Sequence, residues 1–394
     1  MSQSYRISNE GLLNRNKEIS FKFNGTKYTG YEGDTLASAL LANGIHLVGR
    51  SFKYHRPRGF FGAGVDEPNA KLQILLNGHS EPNVNATEFE LVEGIEATSQ
   101  NCWPSVKFDV GAINNFLSKF FPAGFYYKTF KWPKSFWHKV YEPFIRKAAG
   151  FGIASLEKDK ERYEHKYEYC DLLVTGSGPA GLSSAYAAAK NGAKVILAED
   201  KPRFGGSLLT DDVTIDNLSG KAWTDKIITQ LKEMPNVIVK NRSQVFGYYD
   251  HNMTVMIEKT GDHLKDKPKY VPRQRLWYIR AKEVILSTGS IERPIVFGNN
   301  DTPGVFLSAA AKEYIKVYGV LVGKKPLVFT NNDSGYETAL EFKKHGVDPI
   351  ILDTREEHSS ELIDSAKNQN IKIKFASAVI AANGYKKVNS AQIG

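Results

Sequence analysis

Along residues 18–95, short apolar or alternating runs are separated by polar turns. ISFKFN, KLQILL and FELV each have the length and composition of a β-strand. One stretch between them, DTLASALLANG, carries its apolar residues at helical spacing, with Asp34 placed to cap its start and Gly44 to stop it. Residues 1–100 are therefore predicted to form a small β-rich domain holding one helix, in an order that fits a β-grasp.

Residues 101–166 keep neither period. Twelve aromatic residues fall between Phe116 and Phe144, broken by Pro122, Pro133 and Pro143, so no long helix can form. So many rings are expected to be buried against a neighbouring domain or another subunit. The run EKDKERYEHKYEY then reads as a solvated connector.

From residue 167 the pattern becomes βαβ. CDLLVTG is a short apolar run with the length of a strand, AGLSSAYAAAKNG a helix stopped by Gly192, and AKVILAED a second strand. EVILSTG returns as a further strand at 283–289, and PLVFTNN, SGYETALEFKKHG and DPIILD repeat the strand–helix–strand order. This alternation predicts an α/β fold, a doubly wound Rossmann-type domain over 167–394 that binds FAD or NAD(P), apparently truncated at its C-terminus.

Composition narrows the chemistry. Lys and Arg number 52 against 43 Asp and Glu, a net charge of +9. The excess is concentrated in 101–166, with twelve basic residues against six acidic. It favours an anionic partner without choosing among a phosphate-bearing cofactor, nucleic acid and an acidic protein face. The two cysteines, Cys102 and Cys170, exclude a cysteine-built zinc or iron–sulfur centre and a CxxC redox pair, and are read as core residues. Such sparse cysteine suits a reducing, cytoplasmic setting. MSQSYRISNEGLLNRN lacks a signal-peptide core and no window of 18 apolar residues exists, so no membrane partner is expected.

GSGPAG supplies Gly176, Gly178 and Gly181 in GxGxxG spacing, after a strand and at the start of a helix, with Pro179 and Ala180 completing the turn. Gly176 permits the tight turn, Gly178 lets the backbone approach a pyrophosphate, and Gly181 allows close helix–sheet packing. The helix N-terminus offers free N–H groups and a positive dipole to phosphate. Glu199, 18 positions after Gly181, is placed to accept hydrogen bonds from ribose hydroxyls and to disfavour a 2′-phosphate, so NAD or FAD is expected rather than NADP. Gly205, Gly206 and Ser207 in RFGGSLL, and Thr288 and Gly289 at the returning strand end, are expected to approach the same ligand. The second βαβ unit departs from this rule: FTNNDSGYE holds only Gly335 and puts Asp333 where a pyrophosphate would lie. That half reads as an empty Rossmann scaffold, with Asp353 a capping or loop residue. No catalytic constellation emerges: the histidines make no HxxxH pair, His55 reads as a hydrogen-bonding loop side chain, and Ser177 is not in a GxSxG elbow.

A family likeness is carried by NGTKYTGYEGDTLASALLANGIHLVGRSFKYHRPRGFFGAGVDEPNA, SQNCWPS, AGFYYKTFKWP, YEPFIRKAAGFG, CDLLVTGSGPAGLSSA and ILSTGSIERPIVFGNNDTPGV. These blocks resemble the alpha subunit of heterotetrameric sarcosine oxidase, over essentially the whole chain from about residue 18. The resemblance implies a ferredoxin-like domain, then a dinucleotide-binding domain, then a folate-binding half absent from this sequence. It implies oxidative demethylation of sarcosine to glycine with hydrogen peroxide, the one-carbon unit passing to tetrahydrofolate or leaving as formaldehyde. Sarcosine would be oxidised at FAD in the beta subunit, with electrons passed to FMN near the alpha–beta interface and gamma and delta subunits completing the assembly. NAD would sit on this chain, with the backbone of Val245 against adenine. An amine dehydrogenase of proline or opine type is the neighbouring alternative, and a nucleic-acid-binding or structural role the alternative from another class; no nucleic-acid partner is expected.

RSFKYHRPRGFFGAG, residues 50–64, lies where a ferredoxin would hold cluster cysteines and contains none; the family lacks the cluster as well. Arg50, Lys53, Arg56 and Arg58 either meet a cofactor phosphate or an acidic partner face, or cap carbonyls and stack on Phe52, Tyr54 and Phe60.

Overall fold

The computed structural model describes residues 3–76, 78–122 and 124–394. It divides into two compact units, Met1–Lys158 with Glu292–Gly394, and Asp159–Ile291.

In the first unit, β1 (Asn14–Phe23) and β2 (Thr26–Glu32) form a hairpin followed by α1 (Leu36–Ala42). Further on come β3 (Gly49–Arg50), β4 (Pro57–Arg58), β5 (Lys71–Leu76), β6 (His79–Asn85) and β7 (Glu96–Ser99). Five strands pair in the order β2-β1-β7-β5-β6, with β1 and β7 parallel, and the sheet clasps α1 in the predicted β-grasp. Alternation explains it: Ile19, Phe21 and Phe23 of β1 point inward, and every residue of α1 is buried.

Local details differ from the sequence expectation. The cap of α1 is Thr35, whose hydroxyl accepts from Ser38 N while Ser38 Oγ accepts from Thr35 N. Asp34 is instead a buried anchor, accepting from Arg6, Ser38 and the Tyr31 amide. FELV is a turn with one isolated bridge at Glu90, and the strand is β7, which the threonine and alanine of EATS make less obvious.

The 101–158 segment forms short helices, α2 (Ile113–Phe116), α3 (Phe125–Thr129) and α4 (Glu142–Ala149), the last stopped by Gly150 at φ 65°. Many of its rings are not buried within this chain: Phe116 is 87% exposed and Trp132 80%.

The basic loop is absorbed into the first unit. Arg50 is buried, donating to the Val106 carbonyl through Nε and Nη2 at 3.0 and 2.8 Å and to the His55 carbonyl at 3.1 Å. Arg56 makes a two-pronged contact with Asp301 at 2.7 Å, and Arg58 joins it. Lys53 lies over the rings of Tyr54 and Phe125. His55, at φ 52°, faces Asp109 at 2.7 Å through Nδ1 and the Ala148 carbonyl at 3.0 Å through Nε2.

The second unit starts with β8 (Tyr163–Thr175), which takes in the YEHKYEY run read from sequence as a connector; its polar residues belong to a long strand exposed at its start. α5 (Pro179–Lys190), β9 (Val195–Ala198), a small hairpin of β10 (Thr214–Ile215) and β11 (Leu218–Ser219), α6 (Gly220–Glu233) and β12 (Val237–Lys240) follow. Then come β13 (Ser243–Tyr249), β14 (Met253–Lys259) and β15 (Gln274–Leu286). The strand order is β12-β9-β8-β15-β14-β13, parallel from β12 to β15 and antiparallel beyond. Leu172, Val174, Leu182, Ala185, Trp223 and Leu231 form the core under α5 and α6. Cys170, Leu173, Ile196, Met256, Trp277 and Ile279 form a second core. Burial pushes the Cys170 thiol up to about 12 and that of half-buried Cys102 to about 11, so neither is a ready thiolate.

The C-terminal part of the first unit contains α7 (Ser308–Lys316), β16 (Leu327–Thr330), α8 (Ser334–Lys344), β17 (Ile350–Asp353), α9 (Glu361–Asn368) and β18 (Lys372–Lys374). The hairpin β19 (Val379–Gly384) and β20 (Val388–Ile393) closes the chain. β16, β17 and β18 are parallel, in that order. Among the described residues no helix is long and apolar enough to cross a membrane.

Burial alone would raise the Asp301 carboxyl, but hydrogen bonds and charge from Arg56 and Arg58 outweigh it and hold it at about 2. With the folded value below the ordinary 3.8, this contribution is full above pH 3.8 and lost as pH falls through about 2. Asp301→Ala should lower unfolding free energy by roughly 1.5–3 kcal/mol near neutral pH, read by denaturant titration. The difference from wild type should shrink in acid; a constant difference would show that the pair is not its source.

Candidate dinucleotide-binding site

The site begins where β8 and β15 end side by side. Their parallel register carries through to Thr175 opposite Leu286, and the Ser287 amide donates to the Thr175 carbonyl at 2.8 Å. Gly176 turns the chain at φ 96°, and a Cβ there would stand 2.3 Å from the Ser287 carbonyl oxygen. Only glycine meets both demands.

Gly178 is extended, caps α5 without a side chain, and has nothing within 4 Å of the place its Cβ would take. Pro179 has no N–H to leave unpaired, and the first amides of the helix have no intrahelical acceptor. The open space at Gly178 and the N-terminus of α5 therefore adjoin. Gly181 packs the helix onto the turn, since a Cβ would sit 2.0 Å from the Gly176 oxygen. Ala180 lies between them in the first turn.

Glu199 follows β9 and is 6% exposed. Its Oε2 accepts from Ser177 N at 2.9 Å and Ser177 Oγ at 2.5 Å, and its Oε1 from Lys201 N at 3.0 Å. Burial, reinforced by a hydrogen bond with Asp200, pushes its carboxyl up to about 7 despite the Ser177 hydrogen bond. Gly205 (φ 123°) and Gly206 (φ 53°) form the next turn, and a Cβ on Gly206 would lie 3.1 Å from Gly178 Cα. Ser207 follows in a short 3₁₀ turn and its carbonyl accepts from Asp211 N. The Ser243 amide donates to the Glu199 carbonyl at 2.8 Å, which sets β13, and Val245 with it, beside the end of β9. Thr288 and Gly289 (φ 68°) are exposed just beyond Ser287, with open space at the Gly289 Cβ position.

The glycines, Glu199 and the β15 end thus gather at the carboxyl ends of parallel strands, the position where open α/β sheets bind ligands. A dinucleotide fits this set: open space adjoins a helix N-terminus at Gly178, and a buried carboxylate lies beside the same turn. Sequence reasoning missed Ser177. A serine between two glycines carries no signal beyond being small, and its shared hydroxyl appears only with the backbone in place.

The second βαβ unit is built differently. Asn332 Oδ1 accepts from the Ser334 amide and hydroxyl at the start of α8. Arg355 pairs with Asp333 at 2.8 Å and with Asp353 at 2.7 Å, and Tyr336 donates to Asp353 at 2.8 Å. Gly335 is a packing glycine, its Cβ position 2.6 Å from Thr330 Cβ. Beside β16 lies a cavity of ≈ 540 Å³ lined by Phe297, Phe306, Leu327, Phe329 and Val388, among others.

Residues 170–393 match the family model described as pyridine nucleotide-disulphide oxidoreductase. The chain belongs to that family. Residues 16–102 match a second model, described as a 2Fe-2S iron-sulfur cluster binding domain. The residues do not fit such a cluster: Cys102 is the sole cysteine in the matched span, its thiol raised by burial, and residues 49–64 hold none. The chain is 50% identical over 353 residues to the sarcosine oxidase alpha subunit of Rhizobium meliloti (strain 1021), covering 89% of this chain and 36% of the relative. With that of Corynebacterium sp. (strain U-96) it shares 32% over 354 residues, 88% of this chain and 32% of the relative. The chain thus spans about a third of the length of these sarcosine oxidase alpha homologues. Among solved structures, an L-proline dehydrogenase from P. horikoshii superposes with a TM-score of 0.60 at 21% identity, over 91% of this chain and 57% of that one, a likeness of fold.

Two substitutions separate space for ligand from space for packing. Gly178→Ala should leave thermal stability within about 0.5 kcal/mol of wild type and weaken dinucleotide binding at least roughly tenfold, measured by titration with NAD and FAD. Gly181→Ala should destabilise by about 1–3 kcal/mol through overpacking. Equal stability losses in both would remove the assignment of Gly178 to ligand approach.

Proposed function

We propose that this chain is the nucleotide-holding part of the alpha subunit of a sarcosine oxidase, an oxidoreductase acting on a CH–NH group. The 50% identity to such a subunit over 89% of the chain carries the reading, and the glycine cradle at Gly176–Gly181 supports it. The complex oxidatively demethylates sarcosine to glycine with oxygen, giving hydrogen peroxide and a one-carbon unit as formaldehyde or methylene-tetrahydrofolate. Sarcosine is oxidised at FAD in the beta subunit and FMN lies near the alpha–beta interface, gamma and delta subunits complete the assembly, and tetrahydrofolate is held by a domain outside these residues, in the cytoplasm.

This chain's own task is binding. The α5 amides and Gly178 receive the pyrophosphate, Gly205 and Gly206 close over it, and Glu199 accepts from a ribose hydroxyl. The backbone of Val245 meets adenine, and Thr288 and Gly289 border the remaining half. A bound NAD or FAD would supply hydride-accepting chemistry, but no side chain at the site is arranged as an acid, base or nucleophile toward a substrate. The chain alone is therefore expected to be inactive. The exposed rings of 101–156, set among basic residues, serve as the interface to the other subunits. An opine oxidase component from Agrobacterium tumefaciens (strain Ach5) is more distant, at 26% identity over 41% of the chain, so sarcosine is the preferred amine.

Mass spectrometry of nucleotide released by denaturing the purified chain should find NAD or FAD in stoichiometric amount. Co-expression with the beta, gamma and delta subunits should give a yellow complex that forms peroxide with sarcosine. A folded chain without nucleotide that binds oligonucleotides with steep salt dependence would overturn the reading; peroxide from proline or an opine but not sarcosine would reassign the substrate.

A further inference from the structure

We infer that Ser177 is the positioning residue of the nucleotide site: its hydroxyl ties the carboxylate that meets the ribose to the glycine turn that meets the pyrophosphate. The inference rests on the dinucleotide reading of the GSGPAG turn and adds a residue that its glycine spacing does not contain.

Ser177 is fully buried. A hydroxyl has one proton and two acceptor positions. The proton goes to Glu199 Oε2 at 2.5 Å, and the oxygen accepts from the Gly205 amide at 3.1 Å. The Ser177 amide reinforces the same carboxylate oxygen at 2.9 Å. One side chain thus connects the first turn, the end of β9 and the Gly205–Gly206 turn that packs on Gly178.

A carboxylate offers about four acceptor positions. Ser177 N, Ser177 Oγ and Lys201 N fill three, and Asp200 lies against the same carboxyl, so a ribose hydroxyl would take the remaining position in place of that contact. That bond is strongest when Glu199 is ionised. Removing the Ser177 hydroxyl withdraws a donor that favours the ionised form and leaves the Gly205 amide without its acceptor. The loss should therefore change not only how tightly nucleotide binds but at which pH it binds.

Burial, with Asp200 alongside, already pushes the Glu199 carboxyl up to about 7. The other charged side chains on the packed elements are Lys201 and Arg203 in the following loop, Arg242 on the turn after β12, and Lys240, whose amine is engaged by Glu258 at 2.9 Å. Because protonation removes the charged acceptor, affinity should rise with pH up to the carboxyl midpoint and level off above it.

The test uses the full chain, with NAD and FAD as separate probes, and dissociation constants measured across roughly pH 5 to 9. Wild-type affinity should climb up to about tenfold per pH unit below the midpoint. Ser177→Ala should move the midpoint upward by about one pH unit and weaken binding throughout. Glu199→Gln should abolish the pH dependence while circular dichroism stays native. A carbon-13-labelled glutamate titration without nucleotide should report the same upward move in Ser177→Ala. If Ser177→Ala weakens binding by one factor at every pH and leaves the carboxyl titration unmoved, Ser177 is a spacer and the inference fails. If neither nucleotide binds the folded wild type, the site assignment fails on its own, and the labelled carboxyl still decides whether Ser177 governs Glu199.

Discussion

The candidate site depends on one constraint: the parallel pairing of β8 with β15. Its register brings Thr175 opposite Leu286, so Gly176 and Ser287 leave the sheet side by side. The Ser287 carbonyl then occupies the space that a side chain at 176 would need. From that crowding follow the left-handed turn at Gly176 and the close seat of α5 on it through Gly181. A long strand pair thus determines, at its far end, a geometry of a few ångströms. The outer half of the pair looks dispensable because its residues are polar, yet it lengthens the ladder that fixes the register.

The β-grasp domain illustrates how a fold persists when a prosthetic group is not accommodated. A cluster loop is ordinarily tied down by metal–thiolate bonds. In this chain the corresponding loop is held by arginines: Arg50 on the Val106 and His55 carbonyls, Arg56 and Arg58 on Asp301, with His55 against Asp109. Guanidinium groups suit the task because each presents several donors in fixed directions. Of the two readings of this strip, the contacts favour the internal one: its arginines are largely engaged within the first unit.

Much of this was legible in residue order. The buried run of CDLLVTG, the glycine spacing after it and the carboxylate after the next apolar run identify a Rossmann turn, since each has a steric or electrostatic reason local to the chain. Thr35 displaced Asp34 as the cap because a buried arginine, Arg6, claims Asp34 from far away in sequence. YEHKYEY hid a strand because its partner, β15, lies more than a hundred residues on. Ser177 was invisible for the same reason: its hydroxyl matters only once Glu199 and Gly205 converge on it.

The three-stranded parallel sheet of the first unit carries a consequence of another kind. Among the described residues β16 is paired on one side only, by β17, so Leu327–Thr330 keeps an unmatched row of backbone donors and acceptors. A short apolar edge of this sort is a template onto which any extended polypeptide can register. Lys324 and Lys325, just before it, are charged, and flanking charges are how natural sequences discourage such pairing. Two lysines at the start of this strand thus bear on whether copies of the chain can pair along it.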